Sequence, residues 1–521
     1  MRECRASRAP PSRRWIGCVR SAAGNNAQSY ALLERRFREI GDLRHAQAML
    51  SWDEAVMMPV GGGVRRGDVL ATVAGLVHGR ITSAETADLI AAAVDEGGLD
   101  DWQQANLREI ERIRLHAAAL PPELVVEHSR AGTRCEQLWR TARAANDWPA
   151  IVEPLGRLLD LTRQVAVALG EACALAPYDA LIDRYQPGVG CASIEPIFDE
   201  LRTFLPDFVE DVIARRAKPR PIRGPFAQAR QEALARDLMR IVGFDFEHGR
   251  LDTSHHPFCG GDPDDTRITT RYDENDFLSS LLAVLHETGH AMYEQGLPGA
   301  WRGLPVGEAS GMAVHESQSL LMEMQVCRGR EFLEFAAPVI RRHFDAADDA
   351  AEWSVDNLYL ASTQVARGLI RVDADEVTYP LHVILRYELE RALIAGDLSV
   401  RDLPDAWDAK MRRYLGRTTR GDDRDGCMQD VHWYAGLFGY FPTYTLGAVM
   451  AAQIFASVRT RAPAAVDSIR HGDFAPLLAW LRVNVHGRAR SVSAHQLLVD
   501  ATGAPLGTAA FKAHLAARYG A

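Results

Sequence analysis

Lysine is almost missing from this 521-residue chain: Lys218, Lys410 and Lys512 are the only three among 59 basic residues. Arginine supplies the rest. With the heavy use of alanine, this reads as the codon bias of a GC-rich genome and not as a device for an arginine-specific ligand. Cysteine is sparse, eight residues scattered singly with no CxxC spacing (Cys4, Cys18, Cys135, Cys173, Cys191, Cys259, Cys327 and Cys427). That pattern excludes a disulfide scaffold and leads us to expect reduced thiols in a cytoplasmic protein. A basic excess is absent as well. The formal net charge is −10, so no global field favours nucleic acid. Long uncharged runs are missing with one exception, Trp433 to Val458, 26 residues and long enough to span a bilayer. Gly436, Gly439, Pro442 and Gly447 interrupt it and no second span exists, so we expect a buried core helix entered through a Gly/Pro loop and no membrane partner.

What is present is ordinary for a large globular chain: 47% hydrophobic and 25% charged residues, enough to bury a core without staples. Periodicity is helical almost throughout. Tyr30, Leu33, Phe37, Ile40 and Leu43 share one face, Leu107, Ile110 and Ile113 repeat the spacing, and Val152 to Leu169 give a long amphipathic run. Pro121 and Pro122 mark a helix end. The stretch from Arg215 to Phe226, with three prolines and five basic residues, reads as a solvated connection. Between Gly249 and Phe277 the helical period fails, and Arg267 to Tyr272 reads as a short strand. The expected fold is mostly α with a minor β element. Residues 30–521 are expected to form one two-lobed domain. Residues 1–29, rich in arginine and without an apolar signal core, are expected to be a disordered or spurious extension, with a transit segment as the alternative.

The sharpest local signal is His286-Glu287-Thr288-Gly289-His290. On a helix the two histidines lie one turn apart on one face and can reach one metal ion, while Glu287 beside them can take a proton from water. Apolar residues precede the motif at helical spacing, and burying two histidines and a glutamate in such a helix is costly unless something satisfies them. A catalytic zinc-type site needs a third protein ligand. The metzincin continuation is absent, since Tyr293 and Gly296 occupy its positions. The next helix, expected from about Gly307 to Gln325, offers Glu308, His315, Glu316 and Glu323. His315 and Glu316 diverge by about 100° and cannot both face the ion. Spacing alone leaves the choice open, and the gluzincin arrangement puts Glu316 ahead of Glu308.

The chain resembles the carboxypeptidase Taq family of metallocarboxypeptidases from about Tyr30 to the end. The motifs stand in order: His256-Pro257-Phe258; Asp265-Thr266-Arg267-Ile268-Thr269 as DxRxT; the HExxH; His315-Glu316-Ser317-Gln318-Ser319; Ile370-Arg371 with Ala374-Asp375; and Gly426 to Trp433 as GxxQDxHW, containing Gln429 and His432. Trp52 to Pro59 is similar to the family's N-terminal region.

The resemblance implies a helical metallopeptidase with a deep central cleft, usually a homodimer, that uses Zn²⁺ or Co²⁺ and releases single residues from peptides with a free C-terminus. It implies Glu316 as the third ligand beside His286 and His290, and Glu287 as general base and acid. From related helical gluzincins, His432 and Tyr440 are expected to stabilise the oxyanion, packing in an aromatic core being the alternative. Arg371, placed in an apolar helix, is the expected anchor for the terminal carboxylate, unless it pairs with Asp373 or Asp375. His256, Arg267 and Gln429 are expected to shape the substrate site, although Arg267 could equally serve Asp262 or Asp265. Cys259 after His-Pro-Phe is a thiol that could compete for the metal. Two other functions remain open at this level: a helical oligopeptidase cutting internal bonds, and an inactive peptide-binding scaffold.

Overall fold

The computed structural model describes residues 28–254 and 257–520. Residues 1–27, the bulk of the expected extension, and His256 lie outside the described residues. Helices dominate, as the periodicity implies, with three short strands among the described residues. The first helix, Gln28–Val56, buries Tyr30, Leu33, Phe37 and Ile40 against Val77, Ile81, Ile90, Leu107 and Ile110 of the helices that follow. One of those, Asp101–Ala118, starts at a capping box in which Asp100 accepts from Gln103 N (2.8 Å) and the Gln103 side chain accepts from Asp100 N (3.0 Å). This N-terminal layer leans on the segment 299–307. Leu304 enters its core, Arg38 donates to Arg302 O at 2.8 Å, and Gly41 lies directly against Gly303. The larger core gathers most of the later helices around Trp148–Cys173, whose Ile151, Leu155, Leu158, Leu159 and Leu169 are fully buried.

The β element is larger than the single strand expected. β1 (Gly249–Thr253), β2 (Phe258–Asp262) and β3 (Asp265–Thr270) form one sheet in the order β1-β3-β2. β2 and β3 are an antiparallel hairpin, while β1 runs parallel to β3. β1 and β2 lack a clear alternation because glycines occupy part of each. The sheet packs Leu251 and Ile268 onto Val284 and Ala291 of the helix Phe277–Glu294, and so holds the HExxH helix from one side.

Two further expectations change, and the buried core helix entered through a Gly/Pro loop is found as expected. The helix expected from Gly307 begins only at Met312, because Gly311 (φ +108°) breaks the chain before it, and after Leu320 it loosens into a π-helical turn, Leu321–Cys327. Arg371 lies buried in an irregular, partly exposed segment between the helices Val355–Ser362 and Tyr379–Ala395, not in a helix. There the Asp375 carboxylate accepts from the backbone N–H groups of Ala366, Val377 and Thr378 at 3.0–3.1 Å and replaces helical hydrogen bonding with a loop. The uncharged stretch turns helical only at Pro442. The helix Pro442–Arg461 is buried on nearly all sides, and no single described helix is long and apolar enough to cross a membrane.

Candidate metal centre and active site

The helix Phe277–Glu294 starts at Asp276, whose carboxylate accepts from Ser279 N, and carries His286 and His290 on one face with ring centroids 5.0 Å apart. The helix Met312–Leu320 crosses it at Gly289. A Cβ at that position would stand 2.6 Å from Gln318 O and 2.7 Å from Ser319 Cα, so the close approach needs glycine. The crossing brings Glu316 to the histidines: Oε2 is 3.5 Å from His290 Nε2 and Oε1 is 4.0 Å from His286 Nε2. Ligand atoms of the three residues all lie within 4.8 Å of one another. From behind, Gly447 of the buried helix Pro442–Arg461 presses on the Glu316 stem, and the Tyr379 hydroxyl donates to Glu316 Oε1 at 3.4 Å.

An outer layer orients both rings. His286 Nδ1 is 2.9 Å from Glu323 Oε2, supplied by the π-helical turn, and the other Glu323 oxygen accepts from Arg328 at 2.6 Å. Burial alone would raise Glu323, but Arg328 and His286 outweigh it and hold the carboxyl down to about 2. His290 Nδ1 faces the His315 carbonyl at 3.1 Å and His315 Nδ1 at 2.6 Å, while His315 Nε2 is 2.7 Å from Glu294. The consistent assignment puts protons on His315 Nε2 and on Nδ1 of both HExxH histidines. Each Nε2 lone pair is then free to face Glu316. Two imidazole nitrogens and one carboxylate fit the donor set of a catalytic divalent-metal site. Glu287, buried beside them, is pushed up to about 7 by desolvation, with His286 opposing.

His286, Glu287, His290, His315 and Glu316 line a cleft of about 700 Å³. Arg44, His45 and Ala48 of the first helix form part of its wall, with Phe258 and Cys259 of β2 and with Tyr185, Tyr440 and Tyr444. Burial, with Glu287 and Glu294 adding to it, raises the Cys259 thiol well above its usual range. His432 meets the cleft through Tyr444, with Nε2 3.0 Å from that hydroxyl, and its ring lies 5.6 Å from Tyr440. Burial pushes His432 down to about 3, so the ring is neutral.

The remaining expected site residues stand further back. Arg371 is buried behind Tyr444, 4.5 Å from the ring centroid, and binds Asp430 through Nε (3.2 Å) and Nη2 (2.8 Å). Its partner is thus neither Asp373 nor Asp375. Arg386 shares Asp430 at 2.7 Å. Gln429 is engaged entirely with backbone: it accepts from Arg371 N and donates to Leu369 O and Asp425 O. Arg267 pairs with Asp265 at 2.6 Å and stacks 4.6 Å over Trp52. Sequence reasoning missed Tyr444, Tyr379 and Glu294. Glu294 follows His290 by four residues, one helical turn, and Tyr444 follows Tyr440 by four across the start of the helix Pro442–Arg461; that spacing was the available signal. Tyr379 reaches Glu316 across 63 residues and has no local signal.

A family model described as carboxypeptidase Taq (M32) metallopeptidase matches residues 32–519. The chain belongs to that family. It is a metal-dependent carboxypeptidase, a hydrolase of peptide bonds. Among relatives of this M32 enzyme, thermostable carboxypeptidase 1 of Thermus thermophilus is 37% identical over 498 residues, covering 93% of this chain and 97% of its own. Carboxypeptidase 1 of Bacillus subtilis is 32% identical, covering 90% and 93%. In structure the M32 chain is similar to Trypanosoma cruzi metallocarboxypeptidase 1, with a TM-score of 0.91, 40% identity, and coverage of 94% of this chain and 99% of that one. The M32 carboxypeptidase of Deinococcus radiodurans R1 gives a TM-score of 0.90 at 37% identity, covering 94% and 99%.

Proposed function

We propose that this M32 enzyme removes single residues from peptides with a free C-terminus, with broad side-chain specificity. One Zn²⁺ or Co²⁺ per subunit would be held by His286, His290 and Glu316. The observation that carries this reading is the convergence of those three donor groups within 4.8 Å in a cleft wide enough for a peptide end. Such a cation supplies Lewis acidity, which acidifies a water and polarises a peptide carbonyl. Glu287 takes the proton of the attacking water on its carboxylate and returns it to the departing amine. Its raised proton affinity supports both halves of that exchange. Tyr440, on the cleft wall, donates to the developing oxyanion, and neutral His432 orients the neighbouring Tyr444 hydroxyl toward the same space.

Arg371 is the anchor for the terminal carboxylate. Asp430 takes Nε and Nη2, and Nη1 has no protein hydrogen bond among the described residues. Gln429 positions Arg371 through its backbone N–H, and Arg267 braces β3 against Trp52; His256 is assigned to the substrate site by its place in the His256-Pro257-Phe258 motif alone. Family resemblance supports a homodimer, and the six described cysteines, all unpaired, support a cytoplasmic setting. Chelation followed by metal titration tests the reading: activity on a free-terminus peptide should vanish and return at one equivalent of Zn²⁺ or Co²⁺. Full activity persisting in the chelated protein would contradict it.

A further inference from the structure

Four arginines line the cleft, and three of them are already neutralised. Arg44 meets Glu308 at 3.3 Å, Arg490 meets Glu308 at 3.1 Å and Glu109 at 3.4 Å, and Arg302 meets Asp264 at 3.1 Å. Arg184 is the exception. It is exposed on the cleft wall and has no ion pair or side-chain hydrogen bond among the described residues.

Its backbone is nevertheless tightly held. On one side Asp183 accepts from Gly188 N at 2.8 Å and pairs with His116 at 3.2 Å. On the other, Tyr185 O accepts from Met312 N and Gln186 Oε1 accepts from Ala313 N, both at 2.8 Å, which ties the segment to the helix that carries Glu316. The guanidinium carbon lies 5.7 Å from the Tyr185 ring, and that ring meets Tyr440 edge-on at 5.0 Å. The Tyr185 hydroxyl is buried without a hydrogen-bond partner. A cation without a counter-ion among the described residues therefore stands over the Tyr185 ring, next to Tyr440. A carboxylate complements that cation, since the guanidinium fork takes two oxygens.

We propose that Arg184, braced over the Tyr185 ring, forms a subsite that recognises a carboxylate on the bound peptide, supplied by a Glu or Asp side chain, and biases this otherwise broad enzyme toward acidic peptides. The inference rests on the carboxypeptidase reading above. The peptide's terminal carboxylate is the other source of the same chemistry, and the test separates the two.

The experiment compares kcat/KM on paired free-terminus peptides that carry Glu or Gln at each of the last three positions in turn, using the metal-loaded native enzyme, Arg184→Gln and Arg184→Glu. At one position the native enzyme should prefer Glu over Gln, through KM and less so at high salt. Arg184→Gln should cut that ratio by about tenfold, the scale of a hydrogen-bonded charge. Arg184→Glu should invert the preference toward a matching Lys peptide, a gain of function that misfolding does not produce. An unchanged Glu/Gln ratio in both variants overturns the proposal. So does an equal loss on every free-terminus peptide, which would assign Arg184 to the terminal carboxylate. Failure of the native enzyme to release residues from the Gln peptides would instead overturn the carboxypeptidase reading itself.

Discussion

Glu287 sits where burial, two imidazoles and a neighbouring carboxylate act on one proton. Desolvation lifts it to about 7 against the pull of His286, close to the pH at which an acid–base group can both accept and return a proton. Glu287→Gln keeps the shape and leaves His286, His290 and Glu316 intact. It should retain bound metal by elemental analysis while kcat falls by about 10²–10⁴-fold, and near-normal turnover would remove Glu287 from the proton transfer. The histidine pair and Glu287 were legible in the sequence because their relation is local, one helical turn. Glu316 was not separable from Glu308 by spacing, since its position depends on how two helices cross. Glu308 instead bridges Arg44 and Arg490 at the cleft wall. The partners of Arg371 were illegible for the same reason: Asp430 is 59 residues away, whereas Asp373 and Asp375 lie close in sequence.

Helix crossing is the device that assembles the ligands, and it turns on one glycine. Gly289→Ala would set a methyl group 2.6 Å from Gln318 O and 2.7 Å from Ser319 Cα, backbone atoms that cannot rotate away. Separating the helices should cost about 1–3 kcal/mol, the range for an overpacked core. Because Glu316 rides on the displaced helix, metal affinity measured by competition with a chelator should fall along with Tm; unchanged affinity would show that the crossing does not set the site. Element existence was legible from periodicity, and element ends were not. The π-helical turn that delivers Glu323 to His286 depends on distant groups: the Arg518 guanidinium, from the helix Ala509–Tyr519, donates to Met324 O and to Gln325 O. Nothing in the local sequence of Leu321–Cys327 announces that help. The apolar Leu369-Ile370-Arg371-Val372 run imitated a helix, yet Arg371 is the one buried residue of the four and Val372 is exposed, so its apolar character marks no buried helical face.

Across the whole molecule, the C-terminal helix is locked to the active-site side of the core by a buried carboxylate. Glu376, with no exposure, accepts from Arg518 at 3.1 Å and pairs with His514 at 3.0 Å. Burial would raise its pKa, but Arg518 and His514 outweigh that and hold it at about 2, below the 4.5 of a free glutamate. A folded pKa below the unfolded one stabilises the protein fully above about 4.5, and that contribution is lost as pH falls toward 2. Glu376→Gln should therefore destabilise the protein at pH 7, by about 3–5 kcal/mol for a broken buried pair. It should also lose less further stability between pH 5 and 3 than the native chain; parallel acid limbs in urea unfolding would contradict this. At this scale the mostly helical class and the ordered family motifs were legible, whereas the β1-β3-β2 order was not, because strand pairing is non-local.

The most direct test of the whole account is mass spectrometry of one peptide digested by the metal-loaded enzyme, alongside its C-terminally amidated twin and a chelated control. The account predicts a ladder shortening one residue at a time from the free C-terminus, absent with the amide and with chelator. Internal fragments, or equal cleavage of the amide, would contradict it.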